Sequence, residues 1–127
     1  MLMELELRWL IKKQKKGEEV FEIHYIHIPV QVASFLNEYI PYLDLENRVI
    51  IFRKEAEKVE QERTLQLRWL VKKQKVAGKL YNVYYIHIPK QVFPLLKGYT
   101  PYLDLEKKMI IFRNEAEENR QEGTHAL

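Results

Sequence analysis

The chain repeats itself. At an offset of 60, LELRWLIKKQK (5–15) falls on LQLRWLVKKQK (65–75), YIHIP (25–29) on YIHIP (85–89), PYLDLE (41–46) on PYLDLE (101–106) and IIFR (50–53) on IIFR (110–113). Of the 60 pairs from 5/65 to 64/124, 34 are identical and none requires a gap. A single register held over that span marks two copies of one structural unit, and this precedes any assignment of fold. A unit of this size buries little surface by itself. The two copies are therefore expected to share one core, with 1–53 and 65–113 as the repeats, 54–64 as a charged linker and 114–127 as a polar tail.

Within the first unit, Leu5, Leu7, Trp9 and Ile11 alternate with Glu6, Arg8, Leu10 and Lys12. That is the period of a half-buried strand. Residues 12–19 (KKQKKGEE) are polar, contain Gly17 and read as a hairpin tip. Residues 20–28 (VFEIHYIHI) are rich in β-branched and aromatic side chains and return as a second strand. Pro29 suits a first helical turn, and Val32, Phe35/Leu36 and Tyr39 form an apolar helical stripe that ends by Pro41. Pro94 falls inside the matching stretch of the second copy and predicts an irregular helix there. Residues 42–46 and 49–53 are two short strands about Asn47-Arg48, giving β-β-α-β-β per unit. Residues 53–63 lack Gly and Pro and show almost no apolar face, which predicts a solvated helical or extended linker. The end of the tail is expected to fray.

Composition narrows the function classes. With 46% apolar and 12% aromatic residues a packed core is attainable. The longest apolar runs are far too short to cross a membrane, and MLMELELRW lacks the basic start and apolar run of a signal peptide. The absence of cysteine excludes disulfides and thiolate metal sites and fits a cytoplasmic protein. High Lys and Glu content without cysteine also fits a heat-adapted, thermophilic source. The net charge of +3 is unevenly spread. Residues 1–52 carry six Lys/Arg against eight Asp/Glu, residues 65–113 ten against two, and residues 114–127 one against four. Such asymmetry points to a polyanionic partner for the second copy.

The order of strand, I-x-I-P, short helix and tight hairpin resembles the AbrB/SpoVT/MazE family of swapped-hairpin DNA-binding domains. The resemblance is carried by Tyr25-Ile26-His27-Ile28-Pro29, Val32 and Leu36, Tyr42-Leu43-Asp44-Leu45-Glu46 and Val49-Ile50-Ile51-Phe52-Arg53. In the second copy it is carried by Tyr85–Pro89, Lys90-Gln91-Val92, Leu96, Tyr102–Glu106 and Met109–Arg113. It implies a mainly β fold with short helices: a swapped-hairpin β-barrel that one chain makes by itself, as an intramolecular pseudo-dimer. It also implies DNA binding through basic residues before the helix, here Lys12, Lys13, Lys15 and Lys16, and Lys72, Lys73, Lys75 and Lys79, with Lys90 just after the second I-x-I-P. Tyr25 and Tyr85 stand where the family often has an arginine, and Tyr39-Ile40-Pro41 and Tyr99-Thr100-Pro101 where it favours a Gly-Asp turn.

The lysine-rich tips have a direct physical use. Clustered ammonium groups on a projecting two-stranded ribbon can lie along phosphates and release counterions, and such a ribbon fits a major groove. Lysines act as point charges, so affinity dominated by the phosphate backbone is expected. Arg8 and Arg68 lie on the outward face of the first strand, where they either extend the basic stripe or pair with a carboxylate across the strands. His27 and His87 are equivalent, yet two histidines do not make a metal site, and His24 has Tyr84 as its counterpart. Asp44 and Asp104 could pair as acid and base, but the Leu-Asp-Leu-Glu context places them on the outer face of a strand. No Gly-rich phosphate loop, nucleophile elbow or Ser/His/Asp arrangement is present, so no enzyme and no cofactor is expected. Trp9 and Trp69 sit in the apolar register and are assigned to the core. Tyr25/Tyr85, Tyr39/Tyr99 and Tyr42/Tyr102 are either core or a stacking platform for single-stranded nucleic acid. The expected function is binding of double-stranded DNA by a transcriptional regulator or small architectural protein. The alternative is a protein-interaction module, antitoxin-like, that holds its partner through the linker or tail.

Overall fold

The computed structural model describes residues 4–54 and 64–114. Most of the expected linker (55–63) and tail (115–127) lies outside the described residues. The first repeat forms β1 (Glu4–Glu6), β2 (Arg8–Lys16), β3 (Glu19–Ile28), α1 (Val30–Leu36), β4 (Ile40–Asp44) and β5 (Val49–Arg53). The second forms β6 (Thr64–Gln66), β7 (Arg68–Val76), β8 (Lys79–Ile88), α2 (Phe93–Leu96), β9 (Thr100–Asp104) and β10 (Met109–Arg113). No helix among the described residues is long and apolar enough to cross a membrane.

The strands make two antiparallel sheets, not the closed barrel expected. One has six strands in the order β1-β9-β10-β5-β4-β6, the other four in the order β2-β3-β8-β7. The single first strand expected at 5–11 is divided at Leu7, which hands the chain from one sheet to the other. Leu7 is buried, and its N–H continues the β1–β9 ladder to the carbonyl of Pro101 at 2.8 Å. Leu67 does the same to Pro41 at 2.8 Å. Among the described residues the edge strands are β1 and β6 in one sheet and β2 and β7 in the other. Beyond Trp9 and Trp69 the hairpins β2–β3 and β7–β8 leave the core, and there Ile11, Val20, Val71, Val76, Leu80 and Tyr81 are exposed.

The two repeats meet through residues paired with their own duplicates. In the four-stranded sheet Ile26 lies opposite Ile86; in the six-stranded sheet Ile50 lies opposite Ile110. All four are 0% exposed and belong to one core cluster, which also takes Val32, Leu36, Val92 and Leu96 from the helices. Burial of each such side chain stabilises by about 1.5–3 kcal/mol. The remaining bonds are exchanged reciprocally. β1 of the first repeat adds to β9 of the second, and β6 of the second adds to β4 of the first. The Trp9 indole donates to the Tyr99 carbonyl and the Trp69 indole to the Tyr39 carbonyl, each at 2.8 Å. Phe52 N–H donates to Lys108 and Phe112 N–H to Arg48, each at 3.1 Å.

Local expectations are corrected in several places. Of the stripe Leu5, Leu7, Trp9 and Ile11, only Leu7 and Trp9 face the core; Leu5 and Ile11 are 38% and 49% exposed. Leu5 sits on a three-residue edge strand, and Ile11 lies where the hairpin leaves the core. Residues 12–16, expected in a loop, continue β2 and pair with 19–23 of β3. Low lysine β-propensity yields here to the cross-strand ladder. Leu36 fills the helical stripe while Phe35 is exposed. The helix ends before Pro41 as expected, and Pro41 itself is a buried member of β4. Pro94 has the expected effect: α2 is four residues long against seven for α1.

The two-residue turns at the hairpin tips differ. Gly17 takes φ +68° in the first, but in the second the glycine has moved one place and Ala77 takes φ +52°. That region costs an L-residue with a Cβ about 1–2 kcal/mol. The core shows a compensating pair of changes. Trp9 meets the edge of Phe93 at 5.2 Å, and Trp69 meets the edge of Tyr84 at 6.4 Å. Phe93 and Tyr84 correspond to Ala33 and His24 in the other half. Each half therefore holds one large ring, taken from a different element.

Two stability measurements check this account. Ile26→Ala leaves a cavity on the shared axis and lowers unfolding free energy in urea by about 2–5 kcal/mol. Ala77→Gly relieves the positive φ and raises it by up to about 1 kcal/mol.

Candidate nucleic-acid interface

Alternation along the four-stranded sheet separates two chemistries. Ile26, Ile28, Ile86 and Ile88 point inward and are fully buried, which sends Tyr25, His27, Tyr85 and His87 to the outer face. Cross-strand pairing arranges that face in rows. Arg8, His27, Tyr85 and Leu70 form one row; Leu10, Tyr25, His87 and Arg68 form its counterpart. The four rings touch as a cluster: Tyr25 lies 5.7 Å from Tyr85 and 5.6 Å from His87, and His27 lies 5.6 Å from Tyr85.

The cations surround this cluster. Arg8, Lys12, Lys16, Arg68, Lys72 and Lys79 fall on the same outer face by alternation, and Lys13, Lys15, Lys73 and Lys75 on the opposite face of the two hairpin arms. Each arm is thus a ribbon with ammonium groups on both sides. Lys90, in the turn after β8, places its ammonium 5.5 Å from the Phe21 ring. None of these eleven side chains forms an ion pair among the described residues. Arg8 and Arg68 face His27 and His87 across the strands, not a carboxylate, so they extend the basic stripe.

The two arms also bring like charges together. The Lys72 ammonium sits 5.8 Å from the Tyr25 ring, beside Lys12 of the other repeat. Lys72 falls below its ordinary lysine pKa because its side chain lies against that of Lys12, with burial and the Lys12 charge adding to the effect. In the matching segments 4–54 and 64–114 the count is eight basic against eight acidic side chains, and ten against two. The positive excess belongs entirely to the second repeat.

The other candidates take structural places. Asp44 accepts from the backbone N–H and side-chain amide of Asn47, and Asp104 accepts from the Lys107 N–H at 3.1 Å. Both carboxylates brace the hairpin turns Leu45–Arg48 and Leu105–Lys108, and Asp104 is buried, not on an outer face as expected. His24, expected to be unremarkable, is only 5% exposed and stacks on Phe93 at 3.5 Å. Among the described residues no group of three or more potential metal ligands gathers. The four rings are not expected from the sequence as a unit. Their signal was present, because the identical YIHIP segments put one aromatic and one histidine on the same side of each paired strand.

No family model, no curated protein and no solved structure matches this chain.

His27 and His87 are both held below their ordinary pKa of 6.5, mainly by burial and then by the charge of Arg8 or Arg68. In the unfolded chain they take up protons first as pH falls, so the unfolded state gains protons that the folded state lacks. The stability is complete above the unfolded value and declines as pH drops below about 6.5 toward the folded values. A series of thermal melts is expected to show a flat midpoint above about pH 7.5 and a fall below about 6.5. The His27→Gln/His87→Gln double variant flattens that fall.

Proposed function

We propose that this chain is a DNA-binding protein, a transcriptional regulator or a small architectural protein of the cytoplasm, built as an intramolecular pseudo-dimer of the swapped-hairpin kind. The observation that carries the reading is the set of cations on one sheet that form no ion pair among the described residues, with Lys12 and Lys72 as neighbours across the repeats. Neighbouring like charges repel in the free protein, and a phosphate placed between them converts repulsion into attraction. The reciprocal exchange of β1 and β6 supports the pseudo-dimeric part of the reading.

The mechanism follows from the shape of the arms. A two-stranded ribbon can enter a major groove. With lysines on both faces, such a ribbon meets the phosphates lining either wall, and Arg8 and Arg68 continue the contact across the outer face. Lysine point charges favour the backbone over base edges, so sequence preference is modest. The second arm dominates, because Glu18, Glu19 and Glu22 accompany the lysines of the first arm whereas no acidic residue lies within 68–88. The protein-partner alternative rests chiefly on the linker and tail, outside the described residues apart from their first positions, and no observation favours it.

Duplex binding measured across a salt series tests the reading. For Lys72→Ala/Lys73→Ala/Lys75→Ala the slope of log K against log salt becomes shallower by about 1 per lysine that contacts phosphate. Absence of duplex binding by the parent at low salt rejects it.

A further inference from the structure

A chain with two copies of one fold contains its own control: where the skeleton is retained and the lining differs, the difference is specific to one site. Each hairpin arm forms a groove against the turn that follows the I-x-I-P of the other repeat. The first groove, between the first arm and Ile88–Gln91, has a volume of about 690 Å³. Its counterpart, between the second arm and Pro29–Gln31, has about 300 Å³. Pockets that take small molecules run from about 300 to 1,000 Å³.

The linings part in chemistry. In the first groove Lys16 and Lys90 stand where Val76 and Val30 stand in the second. Glu22 replaces Asn82. The floor remains apolar and partly aromatic, with Phe21 matching Tyr81 and Ile23 matching Val83. The Lys90 ammonium lies over the Phe21 ring at 5.5 Å, so cation and ring meet at one place in the groove. His24 also lines the first groove. It is 5% exposed, neither ring nitrogen has a hydrogen-bond partner, and the nearest carboxylate, Glu22, is 3.5 Å from Nε2. Both nitrogens are sealed from the groove, so Glu22 is the polar group offered at this end.

We propose that the first groove binds a nucleoside monophosphate: the phosphate between Lys16 and Lys90, the base on the Phe21 side of the floor, and the ribose hydroxyls toward Glu22. Each part of the ligand meets a complementary group. Ammonium groups suit a phosphate dianion. A flat base stacks on an aromatic ring with little regard to its identity. Glu22 lies 3.5 Å from His24 Nε2, and its carboxylate serves as acceptor for sugar hydroxyls. The second groove offers two valines in place of the cations and is expected to leave such a ligand unbound. The inference does not depend on duplex binding and is measured without DNA.

The test exchanges the linings. AMP, adenosine and inorganic phosphate are titrated separately into the parent protein by calorimetry, with backbone amide shifts locating the site. AMP is expected to bind more tightly than either fragment and to perturb residues of the first groove. Lys16→Val/Lys90→Val gives the first groove the residues of the second and is expected to weaken AMP at least tenfold. Val30→Lys/Val76→Lys is expected to create a second AMP site. An unchanged thermal midpoint in each variant shows that folding is intact, and the gain-of-site variant carries the test if the loss-of-site variant unfolds. A 5′-phosphorylated oligonucleotide against its unphosphorylated form tells a strand end from a free nucleotide as the source. Phosphate alone binding as tightly as AMP, AMP shifts outside the groove, or equal AMP affinity in parent and Lys16→Val/Lys90→Val overturns the proposal.

Discussion

Everything in this fold depends on two antiparallel crossings where a residue meets its own duplicate, Ile26 with Ile86 and Ile50 with Ile110. Each crossing joins the repeats by a backbone ladder and seals it with a fully buried isoleucine pair. With those in place, the rest has little freedom. The Trp9–Tyr99 and Trp69–Tyr39 bonds follow, as do the bonds from Phe52 to Lys108 and from Phe112 to Arg48. Neither repeat holds a complete sheet by itself. A core shared in this way answers the surface-to-volume problem that faces a unit of some 60 residues.

The shared core also separates what can change from what cannot. The inner positions of the two copies are nearly identical, and where they differ, as with Ala33/Tyr84 against Phe93/His24, the bulk lost from one element is restored by another. Interiors packed at crystal-like density tolerate little else. The arms carry no such constraint. They leave the core, and there Glu18, Glu19 and Glu22 of the first repeat give way to Gly78, Lys79 and Asn82 in the second.

The sequence revealed the parts governed by local pattern. Duplication, strand alternation, helix stripe and the breaking effect of Pro94 are all short-range signals, and each appears in the structure. What it concealed depends on long-range pairing. No local feature tells that Leu7 is a point of transfer between sheets, since the alternation runs through it without interruption. The lysines at 12–16 look like a loop and become strand only because 19–23 pairs with them. Pro41 looks like a terminator and is accepted in β4 because the partner strands supply the ladder around it. The candidate interface was half legible: the cations were plain, but the grouping of Tyr25, Tyr85, His27 and His87 required the pairing of β3 with β8. The burial of His24 is not legible in the repeat pattern, because its counterpart is Tyr84.

The exchange of β1 and β6 sets an order of events as the chain is made. β6 joins β4 across a short span, Thr64 beside Asp44, and can dock soon after it leaves the ribosome. β1 has the longer span to close, since Glu4 lies beside Asp104 and must wait for nearly the whole described chain. Closing the longer span costs more entropy. The strand that waits is also fastened by a side chain: Glu4 accepts a two-pronged hydrogen bond from Arg113, 109 positions away. Two halves that look equivalent in space are therefore unequal in time, and the bidentate clamp sits on the seam that closes late.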